Sequence, residues 1–438
     1  MQSLTGGVIL RTLFGIVLCA TATAEADEAP TGFDNLTNGF VDQDTFQADL
    51  AKFEQVEAIA DGLGPLYNAQ SCRECHQNPV SGGASQITEL RVGHLDRKGR
   101  FQDARIPIAR GTVVITGRSL VNDRAICPNK AFRDTEIQER VPNRENIRTF
   151  RVSVNLLGDG FVEAVADQTL IDLARAQCHA SRGAICGQAL RVPIVEAKGQ
   201  TAIGRFGWKD QHTSLLSFAG DAYLNEMGIT NPLQRDEVTT LCNTVSEPND
   251  TPGADGLADT DHFARFVRST KAPPRDATLA ATPTAAKGAA LFHRVGCAAC
   301  HVPSLTTAPA GTKVNGGAFT VPDALGGKTI HPYSDFLLHN VGTGDGIVMA
   351  MTEHYGKDAY EIAWKGRSDQ AQQRTRNKIR TPPLWGVRMR PRLMHDGGSV
   401  TFTDAIRRHR GEAGRAVRKF NDLDRSDRQA IEQFLRSL

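Results

Sequence analysis

Aromatic residues are scarce in this chain, at 6% of 438 positions, with three Trp and five Tyr. No apolar run reaches the roughly 18 residues that mark a bilayer-spanning helix. Neither sign of charge dominates, since 51 Lys+Arg stand against 49 Asp+Glu for a formal net charge of +2. The lack of long apolar runs excludes a polytopic membrane protein and stable membrane insertion, and the charge balance removes the basic footprint expected of a nucleic-acid binder. With 40% hydrophobic and 23% charged residues, the composition is that of a globular protein. Its length suffices for two or three domains of roughly 100–200 residues each.

Cysteine is the residue the chain does not lack. There are nine, too few for a disulfide-built mini-scaffold of this length and too many to pass over. One of them, Cys19, falls in the apolar run Leu13–Ala20, which follows Arg11 and precedes Ala22-Thr23-Ala24. A basic residue, a short apolar core and an A-x-A site together read as a signal peptide over residues 1–24, so the expected location is the periplasm, where disulfides persist.

Four of the remaining eight cysteines form two copies of one pattern: Cys72-Arg73-Glu74-Cys75-His76 and Cys297-Ala298-Ala299-Cys300-His301. C-x-x-C-H is the attachment pattern of c-type haem. Two thiols about one helical turn apart reach the two vinyl groups, and the adjacent imidazole meets the iron from one face. The spacing therefore predicts two covalently bound haem c groups, with His76 and His301 as iron ligands. The other four, Cys127, Cys178, Cys186 and Cys242, allow three pairings; closeness in sequence favours Cys178 with Cys186, which leaves Cys127 with Cys242.

Around the second motif, residues 283–296 read as a short helix with Gly288, Leu291 and Phe292 on one face. At the end of the chain Ile431, Phe434, Leu435 and Leu438 recur at helical spacing behind a Ser426/Gln429 capping box, giving a terminal helix to cross the first. Upstream, residues 44–60 read as an amphipathic helix, and 112–116 and 149–157 as short strands. A stretch rich in Ala, Pro and Thr, running from Ser269 to Ala286, separates the two haem motifs. The expected organisation is a signal peptide over 1–24, an N-terminal haem c domain with an insertion over 25–270, a linker over 271–286 and a C-terminal haem c domain over 287–438. The expected fold class is mainly α: two tandem cytochrome c-like domains, the first with a large insertion containing some short strands.

Five segments carry a family resemblance: 67–72 (YNAQSC), 158–168 (GDGFVEAVADQ), 204–209 (GRFGWK), 380–386 (RTPPLWG) and 394–397 (MHDG). In them the chain resembles the bacterial di-haem oxidoreductases, some of which are labelled thiol oxidoreductases, within the wider group of di-haem cytochrome c peroxidases and MauG. The resemblance implies that one haem with an open or displaceable distal side meets hydrogen peroxide or another small oxidant, while the other relays electrons from a small cytochrome c or cupredoxin. It implies a Trp between the haems, for which Trp208 is the first choice and Trp385 the second, with Trp364 the third Trp in the chain. It implies a distal ligand drawn from Met349, Met351, Met389, Met394, His339 and His395, and it brings in calcium, for which no EF-hand loop is present.

Glu163, flanked by Phe161-Val162 and Ala164-Val165, is the candidate acid–base carboxylate, since an apolar pocket raises a carboxyl pKa toward the range useful for O–O cleavage. Arg205 and Lys209 are candidate partners for haem propionates. Two alternatives to the peroxidase reading stand beside it: a pure electron-transfer dihaem cytochrome, and a haem-dependent oxygenase or oxidase acting through high-valent haem. A thiol activity has little to work with, because haem attachment consumes both C-x-x-C pairs.

Overall fold

Asp42 accepts a hydrogen bond from the Thr45 N–H and so starts α1 (Gln43–Glu54), which buries Phe46, Asp49, Leu50 and Phe53. The computed structural model from which this is read describes residues 26–236, 240–349 and 373–438; the expected signal peptide with Cys19, and also Met351 and Trp364, lie outside the described residues. After α1 the chain makes the one-turn helix α2 (Cys72–Cys75) and enters a three-stranded antiparallel sheet. In that sheet β1 (Thr88–Leu95) lies between β2 (Phe101–Asp103) and β3 (Ile147–Val152), with Val92 opposite Arg148 and Thr88 opposite Val152. Four helices follow: α3 (Asp159–Glu163), α4 (Asp167–Ala180), α5 (Leu215–Met227) and α6 (Asp259–Ser269).

The buried face of α6 packs on both α1 and α5. Its contact with α1 is pinned by charge, because the fully buried Asp49 accepts from Arg265 Nε at 2.7 Å and Nη2 at 2.8 Å, and pairs with His262 Nδ1 at 2.8 Å. A buried carboxylate needs such partners to offset its lost hydration.

The C-terminal part is built on crossed helices. Thr282 caps α7 (Pro283–Val295), Pro283 occupies its first turn where no N–H is needed, and Gly296, at φ +107°, ends it directly before Cys297. After α8 (Phe402–Arg408) and α9 (Gly414–Asp422) comes α10 (Arg425–Ser437), whose cap is Asp424 accepting from Asp427 N–H. The expected cap at Ser426 is thus displaced two residues upstream. Leu291, Phe292 and Val295 interlock with Ile431, Phe434 and Leu435. The two backbones come so close at the crossing that a Cβ on Gly288 would lie 1.9 Å from the Ala430 carbonyl oxygen. Within residues 271–286 a short helix forms at Ala277–Ala280, and Asp276 N–H donates to Ser437 O at 2.9 Å, so this stretch lies against α10.

The fold class departs from the mainly-α expectation. Helix accounts for 34% and strand for 16%, the strand spread over many small sheets, so the class is mixed α and β. The cause lies in strand length. Hairpins such as Ile106–Ile108 with Val113–Ile115 and Arg191–Pro193 with Thr201–Ile203 have three residues per strand, too few to display a period-2 pattern against background. Both favoured disulfides form: Cys127–Cys242, with both residues fully buried, and Cys178–Cys186. Among the described residues no helix is long and apolar enough to cross a membrane.

Gly288→Ala is expected to push α7 and α10 apart and to destabilise the protein by about 1–3 kcal/mol, the range for overpacking a close contact. Urea denaturation followed by circular dichroism checks this.

Candidate functional site

Both C-x-x-C-H segments fold into single helical turns, and both histidine N–H groups close those turns: His76 onto Cys72 O at 3.1 Å, His301 onto Cys297 O at 3.0 Å. The four cysteines of these motifs are unpaired thiols, in contrast to the other four. Burial pushes the Cys72 and Cys297 thiols up to about 12, so they stand as neutral S–H groups.

The histidines are prepared for a metal in different ways. His301 Nδ1 lies 3.0 Å from the Tyr333 carbonyl, which can only accept, so Nδ1 carries the hydrogen and Nε2 keeps its lone pair. Burial lowers its pKa to about 4, which keeps the ring neutral. His76 has a buried Nδ1 with no hydrogen-bond partner, an unsatisfied group of the kind a buried site leaves when a bound group is part of its design.

Each motif opens on a cavity. The second faces a cavity of about 420 Å³, within the range of cofactor pockets, walled by Cys297, Cys300 and His301 on one side and by Thr381, Pro382 and Leu384 among others. The first opens on two lobes of about 150 and 100 Å³ that meet at His76, the smaller holding Cys72 and Cys75. Unpaired buried thiols, a neutral imidazole and largely apolar walls fit a covalently held haem at both places.

Trp208 lines both the 420 Å³ cavity and the larger lobe of the first site. It is held there by its Nε1–H, which donates to Val152 O at 2.8 Å, with Arg390 stacked 5.9 Å from the ring and His395 edge-on at 6.1 Å. Lys209, beside it, lines the first site; burial lowers its pKa to about 8. Arg205 is buried against Asp167 and the carbonyls of Val162 and Val165, and lines none of the three spaces.

A carboxyl pair unforeseen in the sequence occupies the first site. Glu89 on β1 and Glu226 on α5 line both lobes with His76 and are hydrogen-bonded to each other. Burial and the neighbouring Glu89 charge push Glu226 up, while Arg91, against the cost of burial, holds Glu89 down. One proton is thus shared by two carboxylates. Asn68 Nδ2 donates to Glu226 Oε2 at 2.9 Å and fixes its orientation.

Glu163 sits elsewhere. It is fully buried, with its carboxylate gripped by Arg268 (2.6 and 3.0 Å), the Leu215 N–H (2.9 Å) and Asn315 Nδ2 (2.9 Å), and it lines none of the three spaces. Its apolar neighbours reflect an interior ion pair.

Of the distal-ligand candidates, Met394, His395 and His339 line the second cavity, Met349 lines the first site, and Met389 is exposed. His339 has both nitrogens engaged, by Asp335 and Glu412 at 2.9 Å each. Although burial opposes it, these bonds and the Cys300 contact hold its pKa up to about 12. It is an imidazolium and cannot ligate. With Cys300 and Asp335 it makes the one group of three metal-type ligands among the described residues, which offers calcium no oxygen cage. Trp385 is buried against Gly158 and lines neither cavity. His409, absent from the sequence reading, also lines the second cavity, and its Nδ1 donates to Ala405 O at 2.8 Å, leaving Nε2 with a lone pair as in His301.

Residues 126–438 match the family described as "Di-haem oxidoreductase, putative peroxidase". No curated protein sequence matches the chain. Among solved structures, a chain of Kuenenia stuttgartiensis hydrazine synthase is 12% identical with a TM-score of 0.39, over 99% of this chain and 100% of that one. A MauG-like protein associated with microbial copper homeostasis is 19% identical with a TM-score of 0.24, over 41% of this chain and 52% of that one. The diheme peroxidase BthA from Burkholderia thailandensis is 18% identical with a TM-score of 0.24, over 41% and 50%. The matched part thus spans about half the length of each of the latter two.

Arg268→Met strands the Glu163 carboxylate in the interior and is expected to cost about 3–5 kcal/mol of stability. Equilibrium urea unfolding of the variant checks it, and Glu163→Gln in the same background is expected to recover part of the loss.

Proposed function

The chain belongs to the di-haem oxidoreductase family, and on that premise we propose that it is an exported, periplasmic peroxidase carrying two covalently bound haem c groups. It reduces hydrogen peroxide with electrons from a small cytochrome c or cupredoxin. Cys72, Cys75 and His76 hold the haem that meets peroxide; Cys297, Cys300 and His301 hold the relay haem, with His409 as its second axial ligand. Bound haem supplies an iron that takes up peroxide and exchanges electrons.

The observation that carries the reading is the Glu89–Glu226 pair on the wall of the His76 site. Two carboxyls sharing one proton offer both a base and an acid in one place: the ionised oxygen accepts a proton from incoming peroxide, and the neutral Glu226 returns one to the leaving oxygen. Asn68 keeps Glu226 oriented through the exchange. Arg91 stabilises whichever partner carries the charge, pairing with Glu89 directly and lying 3.7 Å from Glu226 Oε1. Lining both sites, Trp208 is suited to pass electrons between them. The asymmetry of the sites favours this division of roles. In the second cavity His409 presents a free nitrogen, whereas His212 of the first site is held by Asp221 at 3.1 Å. A calcium ion has no assigned ligands in this reading.

The holoprotein is expected to yield two haems per chain by the pyridine haemochrome assay, and Cys297→Ala/Cys300→Ala to yield one. Glu226→Gln is expected to slow the reaction with peroxide in stopped-flow absorption by about 10²–10⁴-fold, with haem content unchanged. In the unmodified protein that rate should fall as pH rises through the raised pKa of Glu226, because the acid is then lost, and the fall should vanish in Glu226→Gln. Two six-coordinate haems that ignore peroxide in every redox state would instead leave an electron carrier.

A further inference from the structure

Behind the first site lies a second polar pair that the peroxide chemistry does not use. Tyr223 on α5 is 3% exposed and lines the lobe that holds Cys72, Cys75 and His76. Its hydroxyl donates to Glu57 Oε1 at 3.1 Å. Glu57 is itself 2% exposed; its Oε2 accepts from Gln55 Nε2 at 3.1 Å, and its backbone N–H donates to Gln70 O at 2.7 Å, tying it to the segment that leads into Cys72. Phe263 packs edge-on against Tyr223 at 5.0 Å and Phe53 against Phe263 at 6.4 Å, with Phe53 in turn 6.4 Å from the His76 ring. Around the phenol the wall is aromatic and dry, and a carboxylate is its acceptor. Of the described tyrosines, Tyr67, Tyr223 and Tyr333, this is the one whose hydroxyl meets a carboxylate.

We propose that Tyr223 and Glu57 form a proton-coupled redox pair that stores one oxidising equivalent drawn from the haem at Cys72, Cys75 and His76. The phenolic O–H bond breaks; the electron passes to the haem after hydrogen peroxide, the terminal oxidant, has oxidised it, and the proton passes to Glu57 Oε1. A neutral tyrosyl radical and a protonated carboxyl remain. An electron from the donor protein later restores the phenol, and Glu57 returns the proton. Charge stays balanced within the buried pair throughout, which the surroundings require, because burial raises the phenol's pKa and disfavours phenolate. The same burial raises Glu57 to about 7, bringing it nearer to a useful proton acceptor.

The proposal rests on the peroxidase reading, and one experiment separates the two. The diferric holoprotein is mixed with hydrogen peroxide and no donor, followed optically, and freeze-quenched for EPR. A radical signal is expected whose hyperfine pattern narrows when the protein is made with ring-deuterated tyrosine. Tyr223→Phe should lose that signal while still reacting with peroxide, and Tyr333→Phe should keep it. Glu57→Gln keeps an acceptor for the hydroxyl but not a base, and should slow radical formation by about 10²-fold. A protein that reacts with peroxide but gives no deuterium-sensitive signal, or one that survives Tyr223→Phe, overturns this proposal alone. Optical silence toward peroxide overturns the peroxidase reading and this proposal with it.

Discussion

One buried ammonium joins the parts on which the site depends. Lys209 Nζ donates to Thr375 O at 2.7 Å and Lys378 O at 2.6 Å, and pairs with Asp345 at 3.5 Å, so a loop in the middle of the chain is fastened to a segment more than 160 residues later. Asp345 also takes Arg151 of β3 at 2.6 Å, which brings the sheet into the same knot. Trp208 precedes Lys209 and its indole N–H is fixed to β3, so the ring has little freedom to leave the wall between the two cavities. A charge buried this deeply is costly unless its partners are placed well, and the cost makes the arrangement specific: few other conformations supply two carbonyls and a carboxylate at one point.

The same economy separates the two acidic clusters. Glu163 is surrounded by donors that hold it as a carboxylate, with no room to exchange a proton. Glu226 is surrounded by one amide, one distant guanidinium and another carboxylate, a set that leaves its proton labile. Both are carboxylates among apolar residues; the count and charge of the donors around them decide which is structural and which can do chemistry.

This also explains where the sequence was legible. The haem motifs could be read because two thiols and an imidazole act within five consecutive residues, and α7 because cap, Pro and closing Gly are local signals. Glu226 escaped because its partners, His76 and Glu89, are far away in the chain and it sits in an ordinary helix, α5. His409 escaped because Arg407, Arg408 and Arg410 around it read as a solvated basic run, and only the turn at the end of α8 directs its Nδ1 to Ala405 O. Glu163 attracted attention for its neighbours, a feature that any buried ion pair shares. The sheets were underestimated because their strands are shorter than one clear alternation, while register is set by partners from elsewhere in the chain.

The disulfides carry a consequence for how the molecule is made. Cys127 and Cys242 are joined across 115 residues, and that bond closes after the first haem motif has been synthesised and before the second exists. In the compartment where this bridge must oxidise, the two C-x-x-C pairs must remain reduced to meet their haems. Biogenesis is therefore a race between two uses of sulfur. Its outcome is set by the order in which oxidant and haem-attachment machinery reach a chain emerging from Cys72 to Cys300, and a delayed haem supply would trap the chain as mispaired disulfides.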